Sequence, residues 1–195
     1  MDKIIDRAES ISLSSEDLLR MCNEKVNIFT YPQLAGVDSY EELFTNGNDN
    51  CIVLYETRLG YGHWVCLLRY PTHIEFFDPL GWMMDTELGV IDEYYRSVLD
   101  EIQPHLTYLL KNVRVISNTT ALQKESAKVN TCGRHACVRI RFRGYGLKDY
   151  VTLFKNKNAD QIVFMKKGKI ENIGTFQDLL EQREDFKRMV ELQEI

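Results

Sequence analysis

The spacing of apolar residues changes character along the chain, and each change predicts a different kind of element. Near the start, Ser14 and Asp17 form a capping-box pattern ahead of Leu18, Leu19 and Cys22, which predicts a helix. Ser39 with Glu42 opens a second short helix, which Asn46-Gly47 ends. From residue 51 the texture becomes that of strands. Residues 51–55, 63–70 and 73–77 are apolar, β-branched and aromatic runs, and Pro71-Thr72 is a turn between the last two. Residues 90–110 read as helical with an interruption near Pro104, and 113–116 as a short strand. Residues 119–131 are polar and read as a loop. Residues 132–142 read as a helix, punctuated by Gly144 and Gly146. Residues 162–165 and 169–173 around Lys167-Gly168 predict a hairpin. Thr175 with Asp178 caps a last helix carrying Leu179, Phe186 and Val190 on one face. The sum is an α+β fold, with a central, mostly antiparallel sheet flanked by helices over residues 1–155 and a hairpin-plus-helix appendage over 156–195.

Composition narrows the functional classes. A hydrophobic fraction of 44% over 195 residues is enough for a real core. The 24 basic and 29 acidic residues give a net charge of −5 and no general attraction to phosphate backbones. Nucleic acid is therefore a partner only through a local patch. Arg134, Arg139, Arg141 and Arg143 form a basic cluster, for which favourable charge at a helix C-terminus is the plainer explanation. The five cysteines, Cys22, Cys51, Cys66, Cys132 and Cys137, are odd in number and contain no C-x-x-C pair. They read as reduced thiols in a reducing compartment. The four histidines are scattered, so no metal is expected. No secretory signal and no apolar run of about 20 residues is present. The expectation is a soluble chain, intracellular or packaged in a particle, with no membrane partner.

Three residues suit a thiol-based acyl transfer. A thiol nucleophile needs a base, a group that orients the base, and donors for the oxyanion. Cys132 begins a predicted helix, whose free N–H groups and dipole favour thiolate. Gly133 after it leaves room for a substrate backbone. Taken alone, Cys132 reads more simply as a buried core thiol. His63 heads a strand in Gly60-Tyr61-Gly62-His63-Trp64, and Asp78 follows the next strand in Phe76-Phe77-Asp78-Pro79. Asp78 would fix the imidazole tautomer. Singly these are a surface histidine and turn chemistry. Two antiparallel strands joined by a two-residue turn place them near the same end of a sheet, which lifts the pair above those readings. Gln123, in the polar loop, would donate to the oxyanion. His135, on the same helix as Cys132, points along that helix and is disfavoured as a base. Cys137 reads as a core residue of that helix in preference to a resolving thiol.

The order His-Trp, then Asp after an apolar strand, then Gln, then Cys-Gly resembles the adenain and ubiquitin-like-protein protease superfamily of cysteine peptidases. The segments carrying the resemblance are Gly62-His63-Trp64-Val65, the stretch from Ile74 to Gly81 (IEFFDPLG), and Asn130-Thr131-Cys132-Gly133-Arg134-His135, within about residues 50 to 145. Papain-type enzymes place Cys before His and do not match. One departure concerns the glutamine, which lies nine residues before Cys132 where the family has six or seven. Asn130 or Asn118 are alternative donors. The resemblance implies an adenain-like fold and cleavage after glycine in Gly-x-Gly or Gly-Gly segments, with Trp64 and Gly133 bounding a narrow substrate groove. The Phe-Asp-Pro-Leu-Gly segment is closer to viral maturation proteases than to deSUMOylating enzymes. It implies processing of capsid or core precursors of a DNA virus or virophage, in the virion and host cytoplasm. Adenovirus-type relatives use an activating peptide and DNA as cofactors, but no residue here indicates either. The alternatives are a deconjugase for ubiquitin-like proteins, an effector acetyltransferase, and an inactive binding module on the same fold. Residues 159–195 resemble the end of an ABC-transporter ATPase domain, but the chain has no G-x-x-x-x-G-K-[ST] phosphate loop.

Overall fold

The computed structural model describes residues 9–126, 129–155, 161–166 and 169–191. The chain divides into two compact units, residues 1–151 and 152–195. In the first, helix α1 (Ser15–Met21) starts with the expected capping box. Ser14 Oγ accepts from the Asp17 N–H at 3.2 Å, and Asp17 Oδ2 accepts from the Ser14 N–H at 3.0 Å. Ser39 and Glu42 form their box on a 3-10 helix, Tyr40–Phe44, and Asn46 and Gly47 after it both take positive φ.

Five strands form the sheet: β1 (Asn27–Thr30), β2 (Asn50–Arg58), β3 (Tyr61–Tyr70), β4 (His73–Phe77) and β5 (Val115–Ser117). They lie side by side in chain order. The two central pairings are antiparallel as expected, but β1–β2 and β4–β5 are parallel. The sheet is therefore mixed, not mostly antiparallel. A parallel neighbour needs a long crossover, and residues 31–49 and 78–114 supply one at each edge. Residue pattern identifies strands but carries no direction for short edge strands. Within 90–110 the helix is also shorter than expected. It splits into α2 (Glu93–Val98) and α3 (His105–Leu109), with Asp100 at φ 59° and Pro104 between them.

Alternation on the strands sorts two faces. Val53, Tyr55, Val65, Leu67, Ile74 and Phe76 build one buried cluster with Tyr31, Leu88 and Leu106 from the crossovers. The opposite face, with Trp64, Cys66, Glu75 and Phe77, lies against α4 (Cys132–Arg141), where Cys66 Sγ lies 3.7 Å from the Ala136 carbonyl oxygen. Arg139 of α4 is fully buried there. Its Nε and Nη2 donate to the two Glu75 oxygens at 2.6 and 2.8 Å, and its remaining N–H groups reach the carbonyls of Phe142 and Tyr145. Helix α5 (Leu147–Lys155) follows.

The second unit is the expected antiparallel hairpin, β6 (Gln161–Lys166) and β7 (Lys169–Thr175). Where one helix was expected there are two, α6 (Phe176–Gln182) and α7 (Glu184–Glu191). They break at Arg183, whose guanidinium holds both Asp185 oxygens at 3.0 Å. Leu179 and Phe186 are buried, and the Phe186 ring meets Phe164 edge-on at 5.4 Å. The Lys167-Gly168 turn and the side chains of Thr175 and Val190 lie outside what is described. Among the described residues, no helix is long and apolar enough to cross a membrane.

The Arg139–Glu75 pair sets a testable cost. Arg139→Ala leaves a buried carboxylate without its cation and is expected to lower stability by about 3–5 kcal/mol in urea unfolding. The double change Arg139→Met with Glu75→Leu is expected to recover most of that loss.

Candidate functional site

Strand β4 stops short of the start of β3. Their register ends at Cys66 against Phe77, so the part of β3 from Gly62 to Val65 has no partner on that side. The first turn of α4 comes to that gap. His63 lies on β3, two residues beyond the position opposite Asp78, and both side chains point to the same face. His63 Nε2 and Asp78 Oδ1 are 2.8 Å apart and both side chains are buried. The Cys132 thiol and the His63 ring adjoin closely enough for each to shift the other's ionisation. The three residues singled out in the sequence are thus brought together.

Asp78 is held from several directions. It is the first residue of a turn in which the Gly81 N–H donates to the Asp78 carbonyl at 2.8 Å, with Pro79 second. The Leu80 N–H donates to Asp78 Oδ1 at 2.7 Å. Asn118, just past β5, grips the main chain on both sides. It accepts from the Asp78 N–H at 2.9 Å and donates to the Asp78 carbonyl at 2.6 Å. Gly81 has φ 75°, and a Cβ there would lie 2.7 Å from the Thr120 carbonyl carbon, so the turn and the 120–121 segment fit only with glycine. Asp78-Pro79 is therefore turn chemistry as well as the partner of His63.

Electrostatics favour a charged pair. For Cys132, burial opposes ionisation, but the hydrogen bond and charge of His63 and the backbone N–H groups of Trp64 and Gly133 bring the thiol below its ordinary value. For His63, burial disfavours the cation, yet the bonds and charges of Asp78 and Cys132 outweigh it and push the pKa up to about 10. His135 behaves oppositely. Burial and then Arg134 depress it to about 4, so it is neutral near pH 7.

Gln123 is placed beside the segment that leads into Cys132. Its backbone N–H donates to the Pro79 carbonyl at 2.9 Å, its Oε1 accepts from Thr131 at 3.3 Å, and its Nε2 has a 3.4 Å contact with the Val129 carbonyl. The two alternative amides are engaged elsewhere. Asn118 holds Asp78, and Asn130 donates to Ser10 at 2.8 Å while accepting from the Tyr61 hydroxyl. Trp64 donates to the Leu13 carbonyl at 3.2 Å and its ring packs against Gly133. A Cβ on Gly133 would meet Leu18 Cδ2 at 3.0 Å and Trp64 Cδ1 at 3.2 Å. This glycine thus serves the packing of α4 against α1, not an open approach on its Cβ side. Beside Cys132 lies a cavity of about 30 Å³, bounded by Leu13, Gly60, Gly62, Trp64 and Asn130 among others. It has room for a water or two.

No spacing or motif in the chain points to Glu87. It sits on the 3-10 helix Thr86–Gly89, is 7% exposed, and its Oε2 has no hydrogen-bond partner. Burial raises it to about 7, with His63 pulling it down and Asp78 and Glu125 pushing it up. Glu101, fully buried and accepting from the Glu56 N–H at 2.8 Å, is likewise raised to about 7, first by burial and further by Glu56 and Glu87. Among the described residues, no group of three or more His, Cys, Asp or Glu side chains could hold a metal.

No family model matches the chain. It is 32% identical over 149 residues to "Uncharacterized protein V9" of Sputnik virophage, a match spanning 73% of this chain and 85% of that protein. Among solved structures it is similar to the SUMO protease Ulp1 with its catalytic cysteine oxidised to a sulfinic acid, at a TM-score of 0.32 and 11% identity, over 70% of this chain and 69% of that one. It is also similar to the central domain of the uncharacterized Lpg1148 protein from Legionella pneumophila, at a TM-score of 0.35 and 15% identity, over 76% and 90%. At such scores neither superposition establishes a shared fold.

Glu87 makes a pH-dependent prediction. Its folded pKa of about 7 exceeds the ordinary 4.5, so its contribution to stability is greatest below about 4.5 and falls as pH climbs to 7. The difference in unfolding free energy, wild type minus Glu87→Gln, is expected to fall by about 3 kcal/mol between those limits in urea titrations.

Proposed function

We propose that this chain, which belongs to the family of the Sputnik virophage protein V9, is a cysteine endopeptidase that cleaves after glycine and matures capsid or core precursors of a DNA virus or virophage. The observation that carries the reading is the buried Cys132–His63–Asp78 contact, in which a thiol below its ordinary pKa adjoins an imidazole raised to about 10. A surface histidine or a plain core cysteine would show neither shift. Gly-limited specificity is supported by the small cavity beside Cys132. The virophage relative supports a viral setting, and the Phe-Asp-Pro-Leu-Gly segment favours maturation over deconjugation.

In this reading the Cys132 proton already rests on His63 before the substrate arrives, and the ring Nε2–H stays hydrogen-bonded to Asp78 Oδ1. The thiolate attacks the scissile carbonyl. The Cys132 backbone N–H and the Gln123 amide stabilise the oxyanion. The imidazolium returns its proton to the leaving amine, and water then hydrolyses the thioester with His63 as base. Asp78 holds one tautomer and one ring orientation throughout, and Asn118 holds Asp78.

The test is covalent labelling with peptide vinyl sulfones ending in Gly-Gly, read by intact-protein mass. One adduct is expected, mapped to Cys132 and lost in Cys132→Ala and His63→Ala. Gln123→Ala is expected to retain labelling but lose about 100-fold in kcat on a Gly-Gly peptide, the cost of one oxyanion donor. An adduct at another cysteine, or one that survives His63→Ala at an unchanged rate, would overturn the assignment. Cleavage of candidate capsid peptides separates maturation from other uses of the same chemistry.

A further inference from the structure

The four cysteines not used above differ in their surroundings. Cys51 and Cys66 are fully buried, and burial pushes both thiols up, so they are inert. Cys22 and Cys137 form a pair instead. Cys22 closes α1 as its C-cap, and Cys137 lies in the middle of α4. Their sulfurs are 3.3 Å apart although 114 residues separate them in the chain. A disulfide needs about 2.05 Å between sulfurs, so the two must close by a little over 1 Å to bond.

We infer that Cys22 and Cys137 are a disulfide-forming pair, which under oxidising conditions staples α1 to the helix that carries Cys132.

The surroundings favour an ordered reaction. Cys22 is 6% exposed and Cys137 not at all, so Cys22 is the sulfur a reagent meets first. Arg141, which donates to the Met21 carbonyl at 2.8 Å and to Asn23 Oδ1 at 3.2 Å, places a cation beside the pair. The hydrogen bond from Cys137 lowers the Cys22 pKa against the effect of burial, with Arg141 adding to it, and the same contact raises Cys137. Cys22 is thus the sulfur of the pair that ionises more readily. With an organic disulfide such as oxidised glutathione, the Cys22 thiolate attacks one glutathione sulfur, forms the mixed disulfide and expels a glutathione thiolate. Cys137 then attacks the Cys22 sulfur, its proton passes to the second departing glutathione, and the protein disulfide remains. Two protein thiols are oxidised, and one oxidised glutathione becomes two reduced ones.

The staple would act where α1 already touches the candidate site. Leu18 of α1 and Leu13 before it pack on Gly133, next to Cys132, and the carbonyls of Ile11 and Leu13 accept from Arg134 and Trp64. A bond closing a loop of this length strongly restricts the unfolded chain. The pair stands on its own geometry, whether or not the peptidase reading holds.

The experiment incubates the full chain with oxidised glutathione, traps free thiols by alkylation, and maps the peptides without reduction. A cross-linked peptide pair containing Cys22 and Cys137 is expected, lighter by two hydrogens than the separate peptides and released by dithiothreitol. A rise in Tm of several degrees, reversed on reduction, should accompany it. Cys22→Ser and Cys137→Ser should each abolish cross-link and Tm shift, and because the cross-link is scored in the wild-type chain, a variant that fails to fold leaves the result intact. A stable glutathione adduct on Cys22, a cross-link between other cysteines, or two unmodified thiols after overnight exposure would each overturn the inference.

Discussion

The candidate site depends on how Asp78 is fixed. β4 ends at Phe77, and one residue later the chain must turn, yet the carboxylate has to remain aimed at His63. Asn118 resolves this by acting as a substitute rung past the end of β5, bonding the Asp78 N–H and carbonyl together. The Leu80 N–H pins one carboxylate oxygen, and that same oxygen receives His63. The Pro79 carbonyl then accepts from both Leu122 and Gln123, so the clamp that orients the acid also positions the loop running toward Cys132. The buried carboxylate is held through one oxygen that takes two hydrogen bonds, with its backbone N–H and carbonyl both bonded to Asn118.

Helix α4 meets this arrangement with its two ends doing different work. At its start Cys132 enters the gap left by β4, where helix N–H groups and His63 favour thiolate. Toward its end Arg139 is locked onto Glu75 of β4. One helix therefore ties the sulfur to the same strand that leads into Asp78. The arginines of the sequence cluster are spent on this scaffold. Arg134 caps the Ile11 carbonyl, Arg141 the Met21 carbonyl and Arg143 the Arg69 carbonyl.

Much of this was legible in the sequence where the signal was local. The strands around His63 and Asp78, the capping box at Ser14 and the helix from Cys132 follow from apolar period and turn chemistry, and the shared turn at Pro71-Thr72 sufficed to place His63 near Asp78. Strand direction at the sheet edges was not legible, because β1 and β5 are short, half-buried and joined through long crossovers. Nor was the break at Arg183, where an ion pair with Asp185 two residues on accompanies the helix boundary. Glu87 was invisible for a different reason. Its significance comes entirely from burial beside residues distant in the chain, which no spacing encodes. The packing role of Gly133 was not legible either, since only the folded chain brings Leu18 and Trp64 against it.

The most direct measurement of the central claim is ¹⁵N NMR of the His63 imidazole across a pH titration of the intact chain. At pH 8.5 both ring nitrogens are expected to be protonated, with deprotonation near pH 10 and a clear downward shift of that midpoint in Cys132→Ala. A neutral ring at pH 8.5 that titrates at the ordinary histidine value, unchanged by Cys132→Ala, would mean that Cys132, His63 and Asp78 do not form a coupled acid–base unit.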